Sequence, residues 1–396
     1  MNIVIIGAGA AGMTAAIAAS SNKNKIVLLE HDDRVGKKIL ATGNGKCNLT
    51  NENMSSDKFR CTDKNVVERV IKKFGYSETI SFFKDLGLIF KNRDGYIYPY
   101  SGQASSVLDV LRMKCDSLGV KTMTKIKPLH IKQDKAGFVV KCKCDKGEID
   151  IKADKLIIAT GSPASNLPGA DSSGYELVKE LGYKVKKVLP ALTGLKCQEN
   201  FCKSMSGVRC DGRVSLYINN ELIAEDTGEI QFTDYGISGI PVFQVSRYAS
   251  IGLNNGDKVT AKVDFIPHLS YKELKEIFKN KVDKCPKKNI EEQFVGVLNK
   301  KIAGVLIKRY GNNIDSIIKG IKNFNYTIKG TNPFEQSQIA TGGIDVSQID
   351  FETMESKKHK NLYFAGEIID VDGICGGYNL QWAWSTGYIA GRNATK

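Results

Sequence analysis

Residues 2–12 read Asn-Ile-Val-Ile-Ile-Gly-Ala-Gly-Ala-Ala-Gly, and this opening constrains the fold more than any other stretch. A short, continuous apolar run predicts a strand buried on both faces in a parallel sheet. Gly7 permits a tight turn, Gly9 lets backbone approach a pyrophosphate, and Gly12 lets the following helix pack close to the strand. An alanine-rich helix follows to about Ser20, then a second strand, Lys25 to Glu30, whose terminal acid suits ribose hydroxyls. Together they form one βαβ unit, with helix N–H groups at Gly9, Ala10 and Ala11 offered to an anion. Alone, this motif does not distinguish FAD from NAD.

Two later segments complete the pattern. Leu156 to Ile158 is an apolar strand running into the small-residue turn Ala159-Thr160-Gly161. Asn361 to Ala365 is another, followed by Gly366-Glu367, Asp370, Asp372-Gly373 and Gly376-Gly377-Tyr378-Asn379-Leu380-Gln381 at the start of a helix running to Asn393. Glu367 can hydrogen-bond a polyol. The paired glycines would let the helix N-terminus approach a flat ring, where its dipole favours negative charge. A second anchor so far along the chain points to the longer cofactor, FAD.

Between them lie short helices at Val66–Phe74 and Thr79–Leu86, the latter with Ser77 as its cap, and a helix at Ser105–Leu118. Strand pattern follows from 120 to 159. After Pro190 the texture changes: Val214–Ile218 and Val259–Phe265 alternate as half-buried strands, Asn219-Asn220 reads as a hairpin turn, and Tyr271–Lys279 and Glu291–Lys308 read as helices. This stretch reads as an inserted domain.

The net charge of +14 comes from scattered lysines rather than a dense basic arm, so it reads first as a lysine bias on solvated faces and next as an anionic cofactor or substrate, ahead of nucleic acid. No apolar run has membrane-spanning length, and residues 1–20 fit a phosphate turn better than a leader; a cytoplasmic protein is expected. Ten cysteines in this length are no disulfide framework, and no pair reads C-x-x-C, so no metal site is expected.

At this point the chain resembles a family. Segments 7–13 (GAGAAGM), 36–51 (GKKILATGNGKCNLTN), 98–107 (YPYSGQASSV), 228–241 (GEIQFTDYGISGIP) and 362–387 (LYFAGEIIDVDGICGGYNLQWAWSTG) are similar to the BaiN/YhiN-like flavoproteins, the aminoacetone-oxidase family of FAD-binding enzymes. The resemblance implies an α/β fold of the two-dinucleotide-binding-domain flavoprotein type. Its Rossmann-like FAD-binding domain comprises 1–190 and 331–396, with an inserted β-barrel-like domain at 191–268 and a small helical subdomain at 269–330. It implies an NAD(P)/FAD-dependent oxidoreductase acting on a small organic molecule, with NAD(P)H as a transient donor. Members are linked to bile-acid dehydroxylation and to amine-type oxidation, so the substrate stays open, as does the oligomeric state.

Carried over by motif, Gly7, Gly9, Gly12 and Glu30 bind the ADP half. Lys37, Lys38, Gly43, Asn44, Gly45 and Cys47 lie near pyrophosphate and flavin, and Gly366, Glu367, Gly377, Asn379, Leu380 and Gln381 meet the ribityl chain and ring. Many members have His where this chain has Asp234, and Pro directly after Ser-Gly where it has Ile240-Pro241. Asp234 and Tyr235 are weak candidates for proton transfer, because their loop comes from the domain expected to cover the ring, and Cys375, like Cys47, is a loop thiol whose bland role is a small residue in a tight turn. Two other readings stay open: a flavin-dependent RNA-modifying enzyme, and a non-catalytic flavin redox sensor.

Overall fold

A computed structural model describes residues 1–20, 24–165 and 170–396. The chain divides into two compact units, one built from Met1–Val188 with Gln338–Lys396 and the other from Leu189–Ser337.

The first unit centres on a seven-stranded sheet. Asn2–Ile6 pairs in parallel with Lys25–Leu29 on one side and Lys155–Ile158 on the other; Leu362–Phe364 and Lys121–Met123 extend the parallel set outward. Two short antiparallel strands, Ile349–Asp350 and Glu355–Ser356, finish one edge. Beyond their first residues the central strands are apolar because both faces are covered: Ile3, Val4, Ile5, Leu156, Ile157 and Ile158 are fully buried.

Helix Ala10–Ala19 and the last helix, Tyr378–Asn393, cross on one face at very short range. A Cβ on Gly387 would lie 2.3 Å from the Ala11 carbonyl oxygen, and one on Gly391 would lie 2.3 Å from that of Ala15. Glycines one turn apart thus let two backbones touch, bringing the two ends of the chain together. Within the strand pattern expected from 120 to 159, Lys127–Asp134, Gly137–Cys144 and Gly147–Ala153 form an antiparallel sheet of their own.

The second unit is a closed six-stranded barrel in the order Leu195–Cys197, Gly236–Ser238, Glu221–Phe232, Arg209–Ile218, Val259–Asp264, Phe324–Thr331. Asn219 and Asn220 turn the Arg209–Phe232 hairpin at φ +51° and +71°, the left-handed pair that a two-residue turn requires. Its core continues into helices Tyr271–Lys284, Lys300–Tyr310 and Ile314–Lys322.

Three local expectations change. The helix expected at Thr79–Leu86 with a Ser77 cap begins at Tyr76, because Glu78 reaches back to accept from the Gly75 N–H at 2.8 Å. The helix expected over Glu291–Lys308 is two, Ile290–Gln293 and Lys300–Tyr310: Gly296 sits at φ +80°, and the Asn299 side chain caps the second by accepting from Lys301 N–H. Helix Ile240–Asn254 was not foreseen; Pro241 lies in its first turn, where no N–H is needed.

Candidate functional site

The first turn builds one end of a cleft. Gly7 holds φ +99°, and a Cβ there would meet the Ala159 carbonyl oxygen at 2.5 Å, so the turn packs directly on the end of the neighbouring strand. A Cβ on Gly12 would lie 1.8 Å from the Gly7 carbonyl oxygen, so Gly12 serves helix–turn packing rather than ligand contact. At Gly9 a Cβ would meet nothing within 4 Å; that side of the turn opens into the cleft, as does Gly161. The first helix N–H groups have no intrahelical partners, and Gly9, Ala10 and Ala11 line the cavity.

Glu30 is buried beside this turn. One carboxylate oxygen accepts from Ala8 N–H and the other from Asp32 N–H, both at 3.1 Å, which fixes the group at the cleft wall with lone pairs to spare. Glu30, His31 and Asp32 bring three potential ligand atoms together. Lys37 pairs with Asp32 at 3.1 Å and with Asp33 at 2.6 Å, so one carboxylate of the cluster already has a cationic partner within the protein.

Farther along, Lys38 donates to Glu367 at 2.6 Å and to Ser162 at 3.3 Å, while the other Glu367 oxygen accepts from Ala340 N–H at 2.9 Å. One ion pair thus ties together the loop after the second strand, the Thr160–Ser162 turn and the C-terminal segment. Gly366 turns at φ +79°, held by its N–H to Thr386 and its carbonyl to the Trp382 indole.

The cleft therefore gathers Gly7, Gly9, Ala10, Ala11, Glu30, Lys37, Lys38, Thr160, Gly161, Gly366, Glu367, Asn379 and Leu380 of the expected set. It also includes residues that no motif suggested, among them Ser165, Ser173, Leu177, Trp382 and Ala383. The remaining expected residues do not line it. Gln381 is fully buried and its amide is spent within the protein: the oxygen accepts from Thr50, and the nitrogen donates to the Phe74 and Gly75 carbonyls, Thr79 and Ser385. A Cβ on Gly377 would meet the Thr50 carbonyl oxygen at 2.7 Å, so this glycine serves a backbone crossing.

Gly43, Asn44, Gly45 and Cys47 form a tight left-handed turn outside the cleft lining, at φ +56°, +52°, +79° and +55°. Cys47 is fully buried, and burial pushes its thiol up to about 12, which leaves no thiolate for redox work near neutrality. Asp234 and Tyr235 lie in the barrel unit, where Asp234 is exposed and Asn332 donates to the Tyr235 oxygen at 3.0 Å. Cys375 is half-buried in the glycine loop.

A dinucleotide fits the cleft on three independent features. The Thr160 hydroxyl is buried there without a partner; buried polar groups are otherwise satisfied nine times in ten or more. Two glycines leave side-chain space open toward it, and a helix N-terminus lines one wall. No helix among the described residues is long and apolar enough to cross a membrane.

Comparison with known proteins agrees with this geometry. The family model for the HI0933-like protein Rossmann domain matches residues 1–393. The 3-dehydro-bile acid delta(4,6)-reductase of Clostridium scindens is 41% identical, covering 100% of this chain and 99% of its own length. The ribosomal RNA dihydrouridine synthase of Haemophilus influenzae is 26% identical, with 97% and 96% covered. Among solved structures, 3-ketosteroid delta1-dehydrogenase from Sterolibacterium denitrificans superposes with a TM-score of 0.53 over 99% of both chains at 11% identity, a likeness of fold. With a Rossmann-type FAD-binding fold and a match from end to end, the chain belongs to the HI0933-like family of flavoprotein oxidoreductases.

Proposed function

We propose that the protein is an FAD-dependent reductase of carbon–carbon double bonds conjugated to a carbonyl in a small organic molecule, with NAD(P)H as the donor. The observation that carries this reading is the 41% identity, over full length, to an enzyme whose name specifies reduction of a 3-oxo compound at its 4,6 double bonds. The more distant relative's name implies the same chemistry, since dihydrouridine is uridine with the ring double bond next to its carbonyl reduced. Bound FAD, once reduced by that donor, would supply hydride to the far carbon of such an alkene. The chain's own groups bind and orient: Gly9, Ala10 and Ala11 hold the pyrophosphate, Glu30 the ribose, and Thr160, Lys38 and Glu367 the middle of the cofactor. The reduced alkene also needs a proton. Tyr235 is the better of the two barrel candidates, because Asn332 donates to its oxygen and leaves the phenolic proton for another acceptor.

A second reading, reduction of uridine in RNA, draws on the 26% relative. One anaerobic experiment separates the two. NADH or NADPH is added until the flavin bleaches, and reoxidation is followed with a 4-en-3-one steroid or with unmodified ribosomal RNA fragments. Fast reoxidation by the steroid alone supports the first reading. Reoxidation by RNA alone overturns it, and a flavin that neither donor bleaches removes the nicotinamide link.

A further inference from the structure

Segment 98–107 carries part of the family resemblance, yet none of its residues lines the cleft. It leaves a small three-stranded sheet of Thr50–Asn51, Tyr96–Pro99 and Phe90–Arg93, the last at the edge. Register sets Arg93 opposite Tyr96 and Lys91 opposite Tyr98, and one step farther on Tyr100 N–H donates to the Ile89 carbonyl at 2.7 Å. Residues opposite one another share a face, as do alternate residues of one strand. Ile97 and Pro99 are buried, so Tyr96, Tyr98 and Tyr100 stand on the outer face, beside Arg93, Lys91 and Ile89. One end of this ladder is bare: Ile89 is 72% exposed and Tyr100 67%. In its middle the Arg93 guanidinium lies 5.9 Å from the Tyr98 ring centre, and Lys91 donates to the Tyr100 carbonyl at 3.1 Å. Neither cation has a carboxylate partner among the described residues; Glu52 accepts from Asn92 at 2.7 Å, and Asp94, exposed in the turn, pairs with neither. The other end meets the glycine loop. A Cβ on Gly376 would lie 3.0 Å from the Tyr96 ring, and the Asn51 amide donates to the Gly376 carbonyl at 3.0 Å. That loop opens the last helix, whose Asn379 and Leu380 line the cleft.

We propose that this tyrosine ladder is the docking site of the nicotinamide dinucleotide, an inference that rests on the NAD(P)H donor of the proposed function. The chain has one Gly-x-Gly-x-x-Gly turn, and the flavin nucleotide takes it, so the donor is held elsewhere. A nicotinamide dinucleotide is two planar rings joined by a pyrophosphate, and the ladder offers the complement in the same order. Tyr100 and Ile89 form the bare end, where the adenine stacks. Lys91 and Arg93 stand in the middle, where the pyrophosphate lies against two cations that no acid neutralises. Tyr96 stands at the glycine loop, so the nicotinamide end is directed toward the cleft. At about 3.3 Å per residue, Tyr96 to Tyr100 spans about 13 Å, a length that one extended dinucleotide covers. Aromatic rings flanked by cations are the usual platform for nucleotide bases. A nucleic-acid strand would call for cations in series along its backbone, and this face has two.

The test follows flavin reduction by NADPH and by NADH in the intact flavoprotein, anaerobically and by stopped flow. The limiting rate and the apparent Kd are separated and read per bound flavin. Tyr100→Ala should raise the Kd about tenfold, the order of one lost base stack, with the limiting rate unchanged, while Tyr100→Phe keeps the ring and the wild-type Kd. Arg93→Glu should raise the Kd tenfold or more and flatten its dependence on salt. ADP-ribose, which lacks the nicotinamide, should compete with NADH in the wild type and about tenfold more weakly in Tyr100→Ala. Wild-type Kd values in both Tyr100→Ala and Arg93→Glu overturn the inference and leave the donor assignment standing. A wild-type flavin that neither dinucleotide bleaches overturns both. Reoxidation of the dithionite-reduced protein by a 4-en-3-one steroid should be the same in every variant, and a tenfold loss there gives the face to the substrate instead. Binding of ribosomal RNA fragments that Tyr100→Ala abolishes while the NADPH Kd holds gives it to nucleic acid. Either result overturns the proposal.

Discussion

The two units solve opposite problems with the same residue type. In the cofactor unit, glycine removes side chains so that backbone meets backbone or faces open space: Gly387 and Gly391 against Ala11 and Ala15, Gly7 against Ala159, and Gly9 toward the cleft. In the barrel unit the closest glycine approach, Gly236, admits a strand and a buried thiol. Helix–strand geometry is thus written in short glycine motifs in the first unit, whereas the second is held mainly by an apolar interior. If this contrast is right, substitutions in the first unit should change cofactor affinity and those in the second should leave it unchanged.

The harshest test is Gly9→Asp. The side chain would enter the open space beside the first helix N-terminus and place a negative charge where the pyrophosphate is proposed to lie. We expect a folded, colourless protein, a loss of roughly a thousand-fold or more in FAD affinity, or about 4 kcal/mol. Flavin content measured at 450 nm beside a normal circular dichroism spectrum checks it, and stoichiometric FAD would remove the phosphate turn from the site.

Next is Gly387→Val, which acts on the seam and not on the cleft. Any Cβ there lies 2.3 Å from the Ala11 carbonyl, so the helices must part at a cost of up to about 3 kcal/mol. Because the seam joins the two ends of the chain that build the site, thermal stability and FAD retention should fall together. A stability loss with tightly held FAD would show that the cleft does not depend on the seam.

This seam also shows what was legible in the sequence. The strand Asn2–Ile6, the helix after it and the final helix Tyr378–Asn393 stand where periodicity and glycine spacing put them. Gly387 and Gly391 were visible one turn apart, but their meaning depends on which helix lies opposite, and that is a tertiary fact. Gln381 misled for the same reason. A polar residue beside a glycine loop reads as a ligand contact, yet four segments of the chain consume its amide. In the barrel, helix Ile240–Asn254 escaped because its apolar residues are spread around its circumference rather than confined to one stripe.

A milder change in the first unit is Glu30→Ala. It leaves the fold's packing nearly intact and deletes an acceptor held by two backbone N–H groups at the cleft wall. A hydrogen bond to a charged group contributes about 1.5–3 kcal/mol, so FAD should bind roughly ten- to a hundred-fold more weakly by fluorescence titration. An unchanged dissociation constant would mean that the carboxylate only braces the Ala8–Asp32 loop.

The smallest effect belongs to the barrel and carries the opposite sign. Asn220 occupies the second turn position of the Arg209–Phe232 hairpin at φ +71°. A side chain there is strained even for asparagine, and glycine is the preferred residue at this position of such turns. Asn220→Gly relieves the strain but loosens the unfolded chain, so the net gain should be modest, from a few tenths to about 1 kcal/mol. The turn is far in sequence from every cleft-lining residue and belongs to the other compact unit. The midpoint of barrel unfolding should therefore rise while FAD affinity and flavin absorbance stay at wild-type values. A barrel substitution this conservative that nonetheless altered FAD binding would break the contrast, because cofactor affinity would then depend on both units rather than on one.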